Sequence, residues 1–168
     1  MTENRGVKFT VHAAVIAALY AVLTLLLAPV SFGIVQVRLS EVLCILSLFT
    51  PAAVPGLTAG CFIANFIGGS GLADAVLGSL ATLAGCFGMY KLRHRPRLAP
   101  LVNVLSNGII VGLMLYYVYG FDISAGAAGQ NVAPLLCILI VSAEEMIPLY
   151  VLGLPLASVI RKRGIEFR

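Results

Sequence analysis

The sequence predicts an all-α integral membrane protein, a bundle of six transmembrane helices with the N- and C-termini cytoplasmic. Three observations lead there. Of 168 residues, 60% are hydrophobic and only 11% charged, where a soluble domain carries about 25% charged residues, so lipid is the main solvent of this chain. The mean hydropathy of +1.03 says the same. The apolar residues fall in runs of about 20, the length at which a helix crosses a bilayer and too long for barrel strands. Backbone groups in hydrocarbon must bond within their own segment, which makes those runs helices.

Charge sets the number of crossings. Ten of the eleven Lys and Arg residues lie in three clusters: Arg5 and Lys8; Lys91, Arg93, Arg95 and Arg97; and Arg161, Lys162, Arg163 and Arg168. Positive-inside topology explains this grouping better than a nucleic-acid partner does, and it puts the three clusters on one side. The chain is read as one membrane domain, 1–168. Its first span covers roughly 9–29; Arg5 and Lys8 ahead of it resemble a signal peptide, but the run is too long for one and is read as a retained helix. The apolar stretch 39–67 must hold two crossings to keep Lys91 on the side of Arg5, so spans are expected at roughly 33–49 and 52–67, broken near Thr50, Pro51, Pro55 and Gly56. Three further spans follow at roughly 72–90, 98–119 and 132–160, the last long enough to tilt or to kink at Pro148 and Pro155. The opposite-side segments have no Lys or Arg except Arg38 at the edge of the first.

Ionisable residues within spans are expensive and each asks for an explanation. Arg38 and Glu41, three apart, are either an ion pair on one helix face or part of a site. Asp74 opens the fourth span after a glycine-rich turn, where an acid also meets the helix dipole favourably. Glu144 and Glu145 lie about 18 Å along the last span from its outer end, near mid-bilayer. Adjacent residues diverge by about 100°, so only one of the two points squarely into a central pocket. Asn65, Asn103 and Asn107 are intramembrane amides that serve either helix–helix hydrogen bonding or a ligand. Ala13, Ala17 and Ala21, flanked by Ala14 and Ala18, leave a smooth strip that another helix can approach closely, inside the bundle or from a partner.

Absences narrow the chemistry. The chain has no GxxxxGK[ST] phosphate loop, so it hydrolyses no ATP of that type itself, and no HExxH. No metal site is expected: Cys44, Cys61, Cys86 and Cys137 sit in apolar runs without CxxC spacing and read as small buried hydrophobes. The double Glu lacks the Arg and His companions of intramembrane prenyl-protein proteases. An enzyme is not expected.

At residues 36–41 (QVRLSE), 49–57 (FTPAAVPGL), Asn65, 71–74 (GLAD), 78–82 (GSLAT), 107–112 (NGIIVG), Glu145 and 150–156 (YVLGLPL), the chain resembles the queuosine-precursor transporter (QueT) family, the substrate-binding S components of energy-coupling factor (ECF) transporters. The blocks keep their order through about three quarters of the chain; Glu144 and Pro148 depart from the pattern. The resemblance implies a multi-pass protein of the prokaryotic cell membrane. It works with a membrane scaffold subunit, EcfT, and two cytoplasmic ATPases, with no cofactor bound by this chain and ATP hydrolysed by the partners. It also implies that the strip of Ala13, Ala17 and Ala21 is the partner-docking face.

The implied ligand is a deazaguanine base such as queuine. Its ring N–H and amino group lie side by side, and one carboxylate accepts both. Glu145 is the first choice for that role, with Glu41 or Asp74 available to a cationic substituent. Gln36, Arg38, Asn65 or Asn107 are the donors for a ring carbonyl, and Phe32 and Phe66 are candidates to stack on the base. Two other readings stand beside this one: an autonomous proton-coupled carrier, dimeric in one version, that uses Glu145 or Glu144, and an S component for another vitamin.

Overall fold

The computed structural model describes residues 3–27, 38–120 and 133–164. Among them every regular element is helical. Helix α1 (Glu3–Leu26) is followed by a 3-10 helix (Leu39–Leu48), α2 (Ala53–Ile67), a π-helical turn (Asp74–Gly78) running into α3 (Ser79–Lys91), and α4 (Ala99–Tyr117). Last come α5 (Ala133–Met146), a π-helical segment (Ile147–Gly153) and α6 (Leu154–Lys162). The stretch 39–67 is thus two elements, parted at Thr50 and Pro51.

Among the described residues three helical rods are long and apolar enough to cross a membrane: Arg5–Leu26, Ala99–Tyr117 and Ala133–Lys162. Leu39–Leu48 and Ala53–Ile67 are apolar but shorter, about 20 Å and 22 Å at their respective rises. Large aliphatic side chains cover the outside. On α1 Val11, Val15, Leu19, Val22 and Leu26 recur on one face and each is more than half exposed. A contiguous apolar face of that kind is unsuited to water. This is an all-helical membrane protein.

Sequence explains the irregular rods. Pro148 and Pro155 lack the N–H groups that an α-helix would bond to the carbonyls of Glu144 and Val151, and between them the rod rewinds into the π segment. The 3-10 helix begins at Arg38, whose backbone is extended (φ −80°, ψ 97°). At three residues per turn, Glu41, Cys44 and Ser47 stack along one face, and all three are buried.

The alanine strip packs inward, which corrects the expectation that it faces a partner. Ala17 and Ala21 are buried. A Cβ added at Gly56 would lie 2.6 Å from the Ala13 carbonyl oxygen, and one at Gly60 2.7 Å from that of Ala17. The spacing Gly56-xxx-Gly60 on α2 therefore receives the alanines of α1 backbone to backbone, the close approach that small residues allow in membranes. Ala14 and Ala18 are the alanines left exposed. We expect Ala17→Trp to abolish the folded protein as seen by size-exclusion chromatography in detergent, while Ala18→Trp, one residue on, leaves the elution profile unchanged. Equal behaviour of the two variants would contradict this orientation of α1.

Candidate functional site

The interior of the bundle is polar where α1, the 3-10 helix, α2, α3 and α5 converge. Tyr20 and Thr24, one turn apart on the buried face of α1, start the network: Tyr20 Oη donates to Glu41 Oε1, and Thr24 Oγ1 lies 2.7 Å from Ser40 Oγ and 2.8 Å from the Tyr20 carbonyl. Cys44 Sγ donates to Glu41 Oε2 at 3.0 Å, an i to i+3 contact that the 3-10 winding aligns. Glu41 therefore has both oxygens engaged.

Toward the other end of the cluster Arg38 Nη2 pairs with Asp74 Oδ1 at 3.9 Å, both side chains over nine-tenths buried. The expected Arg38–Glu41 pair on one α-helix gives way to this one, because Arg38 sits ahead of the 3-10 helix in extended backbone. Glu41 stays within Arg38's electrostatic reach. Asp74 does more than meet a helix dipole. Tyr119 Oη lies 3.2 Å from its Oδ2 and 2.9 Å from the Ser70 carbonyl, and Asn65 Nδ2 donates to its backbone carbonyl at 3.2 Å. Gly78 leaves room for these groups: a Cβ there would stand 3.1 Å from Asn65 Nδ2 and 3.9 Å from Arg38 Nη1.

Of the two adjacent glutamates, Glu145 is buried and Glu144 only half-buried. Glu145 lies within electrostatic reach of Glu41 and Arg38, so it faces the same interior from the end of α5. The π segment that follows lies against the 3-10 helix, where Ile45 packs on Gly153. One guanidinium (Arg38) and three carboxyls (Glu41, Asp74, Glu145) thus share the cluster. Such an excess of acceptors suits a ligand rich in N–H donors.

Several buried polar atoms lack a partner among the described residues, including Glu145 Oε2, Asn65 Oδ1, Ser47 Oγ, and both Oδ1 and Nδ2 of Asn103. Buried polar groups are ordinarily satisfied, so each such atom is a candidate for a ligand or water. Asn103 lies against Gly85, where an added Cβ would collide with its Oδ1. Its level follows from helix pairing: Gly108 meets Ser142 and Gly112 meets Ile138, so α4 and α5 run antiparallel and place Asn103 within about a turn of Glu145.

The structure therefore brings Arg38, Glu41, Asp74, Asn65 and Glu145 together. Asn107 is buried, and its Nδ2 donates to the Asn103 carbonyl at 3.2 Å within α4. Phe66 is not in the cluster: it is 64% exposed and stacks on Phe62, its ring centroid 6.1 Å away. The i to i+4 spacing puts both rings on the outer face of α2. Gln36 and Phe32 lie outside the described residues. Tyr20, Cys44 and Tyr119 are additions, and of the two readings of Asn103 its partnerless amide favours a ligand. Tyr20 with Thr24, two hydroxyl residues at i and i+4 in an apolar span, is the one signal that sequence periodicity offered; Tyr119 reaches Asp74 only through the fold.

A stretch of 72 residues, 42% of this chain, is 38% identical to the queuosine precursor transporter QueT of Lactococcus lactis subsp. cremoris (strain MG1363) and covers 42% of that protein. No solved structure matches. The QueT transporter family itself matches residues 10–162, from the first turns of α1 to the end of α6. That span takes in every described member of the polar cluster, and the family is one of transporters rather than enzymes: the chain belongs to the QueT transporter family.

Proposed function

We propose that this chain is the substrate-binding subunit of an ECF-type importer for queuosine precursors, binding a deazaguanine base from outside within a six-span bundle whose termini are cytoplasmic. The observation that carries the reading is the partnerless Glu145 Oε2 in a buried, acceptor-rich cluster. A deazaguanine presents its ring N–H and exocyclic amine side by side, and a carboxylate accepts both. Glu41 and Asp74 are already engaged by Tyr20 and Cys44 and by Arg38 and Tyr119, which leaves Glu145 as the recognising acid. Asn65 has its amide donor spent on Asp74 and its Oδ1 open, so it accepts from the ligand. The donor to the ring carbonyl is then Asn103, whose amide has both ends open.

The relative's name supports the ligand class; the chain carries no phosphate loop, and in this reading two cytoplasmic ATPases, joined to it by a scaffold subunit, EcfT, hydrolyse the ATP at the cell membrane of a prokaryote. The scaffold docks on the outward face of α1, where Ala14 and Ala18 lower the surface between Val11, Val15 and Val22. Isothermal titration of the purified chain against queuine, its precursors, guanine, riboflavin and biotin tests the reading. Saturable heat is expected with the deazaguanines, and proteoliposomes holding this chain alone should bind them without accumulating them. Binding of riboflavin or biotin instead would reassign the substrate. Accumulation driven by a proton gradient would make the chain a self-contained carrier.

A further inference from the structure

The end of the bundle that carries the basic clusters holds a cavity unconnected with the polar cluster. Residues 92–98, which join α3 to α4, come against α6 there and leave a space of about 190 Å³ lined by Pro96, Arg97, Leu154, Ala157, Ser158 and Arg161. Its walls are held. Tyr150 Oη donates to the Arg97 carbonyl at 3.1 Å, which ties the connection to the last rod, and the Arg161 guanidinium lies 5.8 Å from the centre of the Phe49 ring. Among the described residues no carboxylate lines the space. Arg97, Arg161 and Ser158 thus border a half-open space whose walls are almost wholly hydrocarbon, beside a rod whose Val151 and Val159 are exposed.

We propose that this space binds an anionic phospholipid, the headgroup phosphate at the edge that carries Arg97 and Arg161 and the start of an acyl chain against the apolar walls. Guanidinium forks match phosphate oxygens bidentately, Ser158 adds a donor, and Leu154, Ala157 and Pro96 offer apolar surface to the start of an acyl chain. Basic pockets between spans at the cytoplasmic face take anionic headgroups in this way. A free phosphate would use the two arginines but not the apolar walls, and an acidic protein segment would need no cavity beside the lipid-facing surface.

Native mass spectrometry of the full chain released from nanodiscs of mixed phosphatidylglycerol and phosphatidylcholine tests this. One phosphatidylglycerol should stay on the wild type and on R93Q/R95Q. It should fall by at least about tenfold on R97Q/R161Q, the loss expected from a charge-assisted hydrogen bond. The two pairs remove the same charge from the same end of the bundle, so equal loss from both would reduce the effect to bulk charge and overturn the proposal, as would loss from neither. Ser158→Leu fills the cavity and leaves both arginines; it should also release the lipid, and retention there would overturn the proposal independently of how R97Q/R161Q folds. Displacement by inorganic phosphate would reassign the site to the free anion, and displacement by an acidic hexapeptide to a protein partner.

Discussion

Glu145→Gln is expected to weaken deazaguanine binding between about tenfold and a hundredfold, from the loss of about 1.5–3 kcal/mol for a charged hydrogen bond. The amide keeps the size of the carboxyl but offers one acceptor where the ligand presents two donors, and it turns its own N–H toward one of them. Stability should not fall with affinity. Glu145 shares a buried space with Glu41, and replacing one of two neighbouring buried acids by a neutral group relieves the desolvation of a charge and any repulsion between the pair. Titration calorimetry and thermal unfolding of the same sample therefore separate recognition from folding. An unchanged dissociation constant would remove Glu145 from the site and move recognition to Glu41 or Asp74.

Gly60→Val is expected to weaken the fold and the site together. The first carbon added would lie 2.7 Å from the Ala17 carbonyl oxygen and 2.9 Å from Tyr20 Cβ, closer than side-chain atoms approach, and both contacts belong to α1 near its backbone, where little can give way. Overpacking of this kind costs up to about 3 kcal/mol, which at about 2–4 °C per kcal/mol lowers the melting temperature by roughly 6–12 °C. The damage also reaches the site, because Tyr20 carries the hydroxyl that holds Glu41. Ligand binding should be lost together with stability. Ala59→Val, on the exposed side of the same helix, adds the same bulk toward lipid and should leave both unchanged. A Gly60→Val protein that melts and binds like wild type would mean that α1 does not lie on this face of α2.

The sequence by itself determined that the chain is helical and lives in a membrane, because composition and run length reflect the solvent that the outside of the molecule meets. It also marked the ionisable residues that the fold buries together. Arg38, Glu41, Asp74 and Glu145 stand out in apolar runs since burying an ionisable group needs a reason wherever it points. What the sequence left open was direction. Ala13, Ala17 and Ala21 form the same smooth strip whether they meet a partner or a neighbouring helix, and only the facing Gly56 and Gly60 decide for the neighbour. Phe66 is an aromatic near a span end by sequence, and only its pairing with Phe62 on the outer face takes it away from the polar cluster. Glu144 and Glu145 are chemically identical and about 100° apart; the packing of α5 selects the second. The spacing of Arg38 and Glu41 suggested a pair because an α-helix was assumed, yet the 3-10 winding stacks Glu41 on Cys44 and sends Arg38 to Asp74, 36 positions away. Asn103 was legible as an intramembrane amide, but whether its hydrogen bonds are spent or open depends on atoms that three-dimensional packing alone brings near.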